Sequence, residues 1–235
     1  MHEITYHKDI LDIIYKFTST MNKEVLFVKE GENVVIRQRT EVGIYHVFTT
    51  KLENFNFAGD ELAFYDFVNF YEFLEMLKSP QLFQAENKIV LQQGSTKINY
   101  LISDRDAIAK SQFTKNAVFG DSSVGFTFDE KDLNNIRNLI KKMNIDNVRF
   151  TFKDNKCNLT LFKAGYDNSS EIVIDLPVPF EGPLELEIKS YLFKNEPVLP
   201  YALTIYSDKQ PEKLKFSYAN DLYSLDVITS VRNDQ

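Results

Sequence analysis

Tryptophan is absent from this 235-residue chain, and cysteine occurs once, at Cys157. A single cysteine excludes an internal disulfide and fits a reducing compartment. The sequons Asn158-Leu-Thr160 and Asn168-Ser-Ser170 therefore read as chance matches. Histidine is almost as scarce: His2, His7 and His46 all fall in the first fifth of the chain, without metal-ligand spacing and far in sequence from Cys157. Neither common type of glycine-rich phosphate loop is present, so no cofactor is expected. No basic stretch leads into an apolar run at the start, and no long uncharged apolar run occurs anywhere. These absences argue against secretion and membrane insertion and point to a cytoplasmic chain.

What is present is ordinary for a globular chain: 43% hydrophobic and 26% charged residues. Asp and Glu number 34 against 27 Lys and Arg, a formal charge of -7. That balance argues against a conventional groove-binding DNA protein, which is basic overall. It leaves room for nucleic acid if the cations gather on one surface. Phenylalanine (20) and tyrosine (12) are abundant. Most alternate with polar residues in strand-like runs, which fits core packing better than base stacking.

The clearest helix runs from Asp129 to Met143. Asp129 suits the N-cap, and Glu130 and Asp132 fall in the first turn, where the helix dipole favours negative charge. Leu133, Ile136, Leu139, Ile140 and Met143 recur at three and four residues and make one apolar stripe. The opposite face carries Lys131, Asn134, Arg137, Asn138, Lys141 and Lys142. It reads either as a solvated surface or as a face presented to a polyanion.

Three more helices are expected: His7–Thr18, Val68–Lys78 (ended by Ser79-Pro80) and a short one from Ser190 to Glu196. The four helix starts recur at intervals of about sixty residues, each followed by strand-like runs, which is the mark of internal repetition. The fold class is α+β: two similar halves, each with two helices packed on antiparallel sheets. The polar, aperiodic stretch Ser103–Ala117 separates them, giving domains over 1–106 and 118–235 with a connector over 107–117.

Catalytic patterns are weak. Asp104 and Asp106 make an i, i+2 carboxylate pair that a solvated loop explains. His46, Asp104 and Ser122 follow the chain order of one serine-protease class. The glycines expected after the nucleophile are replaced by Ser123 and Val124, so the chain is not expected to be an enzyme.

Three stretches carry a resemblance that extends over the whole chain. They are Ser190-Tyr-Leu-Phe-Lys-Asn-Glu-Pro-Val-Leu-Pro-Tyr-Ala-Leu-Thr-Ile-Tyr206, Phe64–Leu77 and Phe128–Ile140. With the four helix-plus-strands units, the chain resembles the sliding DNA clamp of T-even-like tailed bacteriophages, whose architecture the proliferating-cell nuclear antigen shares. The resemblance implies a polymerase processivity factor for DNA replication. Three two-domain chains would close into a homotrimeric ring, strands outside and helices lining the hole, with duplex DNA held by topology and without sequence specificity. A clamp-loader ATPase would open or close the ring, and the DNA polymerase would be tethered to it.

On that resemblance the cations of the third helix, Lys131, Arg137, Lys141 and Lys142, face DNA, followed by Lys8, Lys16, Lys78 and Lys194. The partner pocket would draw on Ile108, Phe113, Leu199, Pro200, Tyr201 and Tyr223, each of which also reads as core or loop packing. Subunit contacts would fall on two edge strands, through Lys97, Ile98, Tyr100 and Ile102 on one and Ile172 and Ile174 on the other. The second helix departs from the pattern, because Glu72 and Glu75 outweigh Lys78 on its polar face. The competing reading is a monomeric single-stranded nucleic-acid-binding module using exposed aromatics.

Overall fold

The computed structural model describes residues 1–19, 22–40, 43–108, 124–165, 169–175, 184–195, 197–206 and 213–230. The chain divides into two compact units: Met1–Lys115 with Ala219–Leu225, and Asn116–Tyr218 with Asp226–Gln235.

The first unit opens with β1 (His2–Tyr6) and α1 (Lys8–Thr18), followed by β2 (Val25–Glu30), β3 (Asn33–Arg39), β4 (Tyr45–Lys51), β5 (Phe55–Asn56) and β6 (Glu61–Phe64). Then come α2 (Phe67–Met76), β7 (Gln81–Gln84), β8 (Lys88–Gln93), β9 (Thr96–Leu101) and the single turn α3 (Arg105–Ile108). Its strands run in the orders β5-β1-β7-β8-β9 and β4-β3-β2-β6. Helices α1 and α2 pack on each other, and Tyr15 stacks on Tyr71 with centroids 4.3 Å apart. The core is unusually aromatic. Phe27, fully buried in β2, meets Phe55 at 4.7 Å, Phe64 at 5.7 Å and Phe67 at 6.0 Å between ring centroids. Offset and edge-on contacts of this kind add to the area the rings bury.

The second unit repeats the plan. It comprises β10 (Val124–Thr127), α4 (Glu130–Met143), β11 (Asn147–Lys153), β12 (Lys156–Phe162), β13 (Ser169–Asp175) and β14 (Leu184–Lys189). After these come α5 (Tyr191–Asn195), β15 (Ala202–Tyr206), β16 (Lys213–Ala219) and β17 (Tyr223–Ser230), with Ala219 at the end of β16 and Tyr223–Leu225 at the start of β17 counted in the first unit. The strand orders are β13-β12-β11-β14 and β10-β15-β16-β17. Phe128, Phe150, Phe193 and Phe216 fill the space between helices and strands. Cys157 is buried on β12, and burial pushes its thiol up to about 12.

Tight turns set the registers. Asp154 (φ 52°) and Asn155 (φ 60°) both sit in the left-handed region between the paired Lys153 and Lys156. Asp and Asn tolerate that region best after glycine, so this is a two-residue type I′ hairpin. The antiparallel, two-unit α+β plan matches expectation, with the four expected helices at their expected places. The sequence pattern does not predict strands β1, β5 and β7. Each is short; β1 and β7 each bury a single side chain (Ile4 and Leu82), and β5 has only two residues, so none shows a period-2 pattern strong enough to read. The connector also carries more order than its polarity suggests: Ser103 bridges to Ala63, and Arg105–Ile108 is helical. Among the described residues, no helix is long and apolar enough to cross a membrane.

Candidate nucleic-acid interface

Helix α4 is built as its sequence dictates. The Asp129 carboxylate caps it, accepting from the Asp132 backbone N–H at 2.6 Å. Asn144 closes it in the left-handed conformation (φ 51°, ψ 49°). Asp129→Ala is expected to destabilise the second unit by about 1 kcal/mol, measurable by chemical denaturation. Leu133, Ile136 and Ile140 are buried, whereas Leu139 and Met143 are only half-buried, so the packed stripe is narrower than its spacing implies.

Lys131, Asn134, Asn138, Lys141 and Lys142 are exposed on the other side. Lys141 and Lys142 also complement the negative end of the helix dipole, which is a structural use for the same charges. Arg137 differs from its neighbours. It is half-buried, and its Nε–H donates to the Phe193 carbonyl at 2.9 Å, which ties α4 to α5. Lys194, on that short helix, is half-buried. Three of the expected cations of α4 thus stand in solvent, and the fourth has a packing role as well. Beside them, Asp132, Asn135, Asn138, Leu139, Lys142 and Ile172 line an open groove of about 410 Å³ between α4 and β13.

In the first unit the expected contacts fare differently. Lys8 Nζ lies 2.9 Å from Glu75 Oε1 and 3.0 Å from Asp12 Oδ1. The Tyr71 hydroxyl donates to the same Asp12 oxygen at 2.6 Å. Glu75 first, then Asp12, hold the Lys8 ammonium well above its ordinary pKa. Burial, then Asp12, raise the Tyr71 phenol. Both shifts favour the protonated forms in the folded chain, so their stabilisation is present at neutral pH and lost only in strong alkali. Lys16 and Lys78 are exposed, Lys78 just beyond the end of α2 with φ 51°.

The two expected edge strands are outermost in their sheets: β9 beside β8, and β13 beside β12. Lys97 is exposed, and Ile98, Tyr100, Ile102 and Ile172 are half-buried; the side chain of Ile174 lies outside those described. Tyr100 packs against Phe70 (5.3 Å between centroids), and its hydroxyl donates to the Asp66 carbonyl. Burial, then Asp66, push that phenol up to about 12. Leu101 and Val173, one on each strand, are 70% and 54% exposed. Hydrophobicity alone gave no reason to single them out.

The residues assigned to a partner pocket scatter. Ile108 is fully buried against Leu26 and Ala63. Tyr201 is buried edge-on to Phe216, and Tyr223 is buried and stacked on Phe48. Ile108 and Tyr223 fill cores, whereas Tyr201 also lines a small pocket with Leu133, Arg137, Leu192, Pro197 and Val198. Leu199 is half-buried, Pro200 is exposed, and Phe113 lies outside the described residues. His46 is 1% exposed and stacked parallel on Phe17, Asp104 is exposed, and Ser122 lies outside the described residues. A histidine sealed in the core cannot serve an external nucleophile.

No known sequence family and no curated protein matches the chain by sequence. Its fold does match solved structures along its whole length. It aligns with the Archaeoglobus fulgidus proliferating-cell nuclear antigen, solved with the C-terminal region of FEN-1 bound, at TM-score 0.72 and 13% identity, covering 100% of both chains. The Entamoeba histolytica proliferating cellular nuclear antigen aligns at TM-score 0.75 and 10% identity over 98% of both chains. A PCNA2–PCNA3 complex from Sulfolobus tokodaii aligns at TM-score 0.71 and 14% identity over 99% of both chains. The chain has the fold of these clamps.

Proposed function

We propose that this chain is a subunit of a sliding clamp, a non-catalytic processivity factor that encircles duplex DNA and tethers a replicative polymerase. The observation that carries this reading is the row of exposed lysines on α4, in an acidic chain whose whole length follows the clamp fold. On a closed ring, such a row meets phosphates without reading bases.

Self-assembly is supported by the two outer strands. The turns at Gln93–Thr96 and Lys153–Lys156 determine how hydrogen-bonded pairs alternate along each hairpin. Counting from them, Lys97, Asn99 and Leu101 of β9, and Glu171 and Val173 of β13, point their backbone groups away from the neighbouring strand. Antiparallel pairing between copies must then match odd-numbered residues with odd. That places Ile98, Tyr100 and Ile102 on the same side as Ile172, extending one apolar row across the boundary. Three chains closing head to tail would satisfy both edges. A clamp-loading ATPase, a DNA polymerase, a bacteriophage source and a host-cytoplasmic setting complete the reading. Leu199 and Pro200 are the best-presented candidates for partner docking.

The alternative, a monomeric single-strand binder, needs stacking platforms on the surface. Most phenylalanines sit in the two cores, and Tyr65, 64% exposed, is the aromatic among the large hydrophobic side chains exposed in the described residues. The test is retention on closed-circular against linearised plasmid after loading by the cognate ATPase. Retention on the circle with loss from the linear form is expected; equal retention on both would sink the topological reading.

A further inference from the structure

We propose that Lys8, in the helix pair of the first unit, is withheld from the DNA backbone by its own ion-pair network, shifting phosphate contact toward α4 of the second unit. The inference rests on the clamp reading, which puts both helix pairs toward the duplex. Helices α1 and α2 carry two lysines, Lys8 and Lys16, against four carboxylates: Asp9, Asp12, Glu72 and Glu75. One of those lysines is already engaged. Lys8 is held by Glu75 at 2.9 Å and by both Asp12 oxygens at 3.0 and 3.2 Å. Asp12 is fixed in turn by the Tyr71 hydroxyl, and the Tyr71 ring is fixed by its stack on Tyr15.

A phosphate approaching Lys8 would have to replace a carboxylate that is already in place and preorganised. Such an exchange adds no net charge neutralisation. The lost carboxylate contact offsets the gain from releasing DNA counterions, the term that drives non-specific DNA binding. Glu72 and Glu75 are both exposed on α2 and add negative charge to the same helix pair. On α4 the balance is reversed. Among the described residues, Lys131, Lys141 and Lys142 form no ion pair with a carboxylate, so each can neutralise a phosphate directly.

Salt dependence of DNA retention separates the two kinds of lysine. On the full-length chain loaded on circular plasmid, Lys141→Ala should lower the log–log salt slope by about 0.9 for each phosphate no longer neutralised. Lys8→Ala should leave the slope unchanged, and Lys8→Gln, which keeps most of the side-chain stem, guards against a folding defect. The double variant Asp12→Asn/Glu75→Gln frees Lys8 and should steepen the slope. A slope lowered by Lys8→Ala as much as by Lys141→Ala would overturn the proposal and leave the clamp reading intact. Equal retention of wild type on circular and linear plasmid would instead overturn the clamp reading, and the proposal with it.

Discussion

Replacing Lys141 and Lys142 together by alanine is expected to lower the log–log salt slope of DNA retention by about 1.8 per engaged chain, from about 0.9 for each phosphate that loses its lysine. At a fixed moderate salt concentration this corresponds to weakening on the order of tenfold, and the loss should be the same on any DNA sequence, because phosphate contacts carry no base information. The two lysines also face the negative end of the α4 dipole, so stability should fall by about 0.3–1 kcal/mol per charge. Binding and folding therefore change by separable amounts. Titrating retention against salt and melting the same variant in parallel checks both. An unchanged slope would make this face of α4 a solvated surface and nothing more. Arg137→Ala should behave differently: its hydrogen bond to the Phe193 carbonyl links α4 to α5, so the larger part of its cost should appear as lost stability.

The second large effect concerns the first unit's core. Phe27→Ala should destabilise the chain by about 3–5 kcal/mol, the usual cost of removing a fully buried ring whose site collapses only partly. Phe27 touches four other aromatic rings, from β5, the segment after it, β6 and α2, so the cavity would open at the centre of the cluster. For a chain of this size that loss lowers the melting temperature by on the order of 10 °C. Calorimetry of the purified variant is the check; a fall of about 2 °C or less would mean that the surrounding rings close over the gap.

How far the sequence alone reaches is seen by comparing α4 with the Lys8 cluster. Every determinant of α4 is local: an aspartate that caps, acids in the first turn, apolar residues at three and four, an asparagine that can turn left-handed. Such signals lie within one stretch of chain and can be read without knowing what packs against it. The i, i+4 pair of Lys8 and Asp12 is equally local. Glu75 and Tyr71, which turn a surface pair into a closed network, arrive from a helix some sixty residues later, and nothing in either stretch announces the meeting. Arg137 fails to stand fully in solvent for the same reason, since its acceptor is a backbone carbonyl of α5. Tyr201, Tyr223 and Ile108 are ambiguous between pocket and core in the sequence because burial is decided by partners distant along the chain; all three are buried, and Tyr201 lines a pocket as well. The edge positions of β9 and β13 follow from fold-level resemblance, and their exposed Leu101 and Val173 become visible only once the neighbouring strands are placed.

Cys157 has a practical side. Fully buried on β12, with burial pushing its thiol up to about 12, Cys157 is out of reach of a maleimide. The chain therefore comes ready for site-directed labelling without removal of its native cysteine. A thiol introduced at Asn99 and another at Val173 would be the reactive pair, and oxidation between copies would record directly which edges meet.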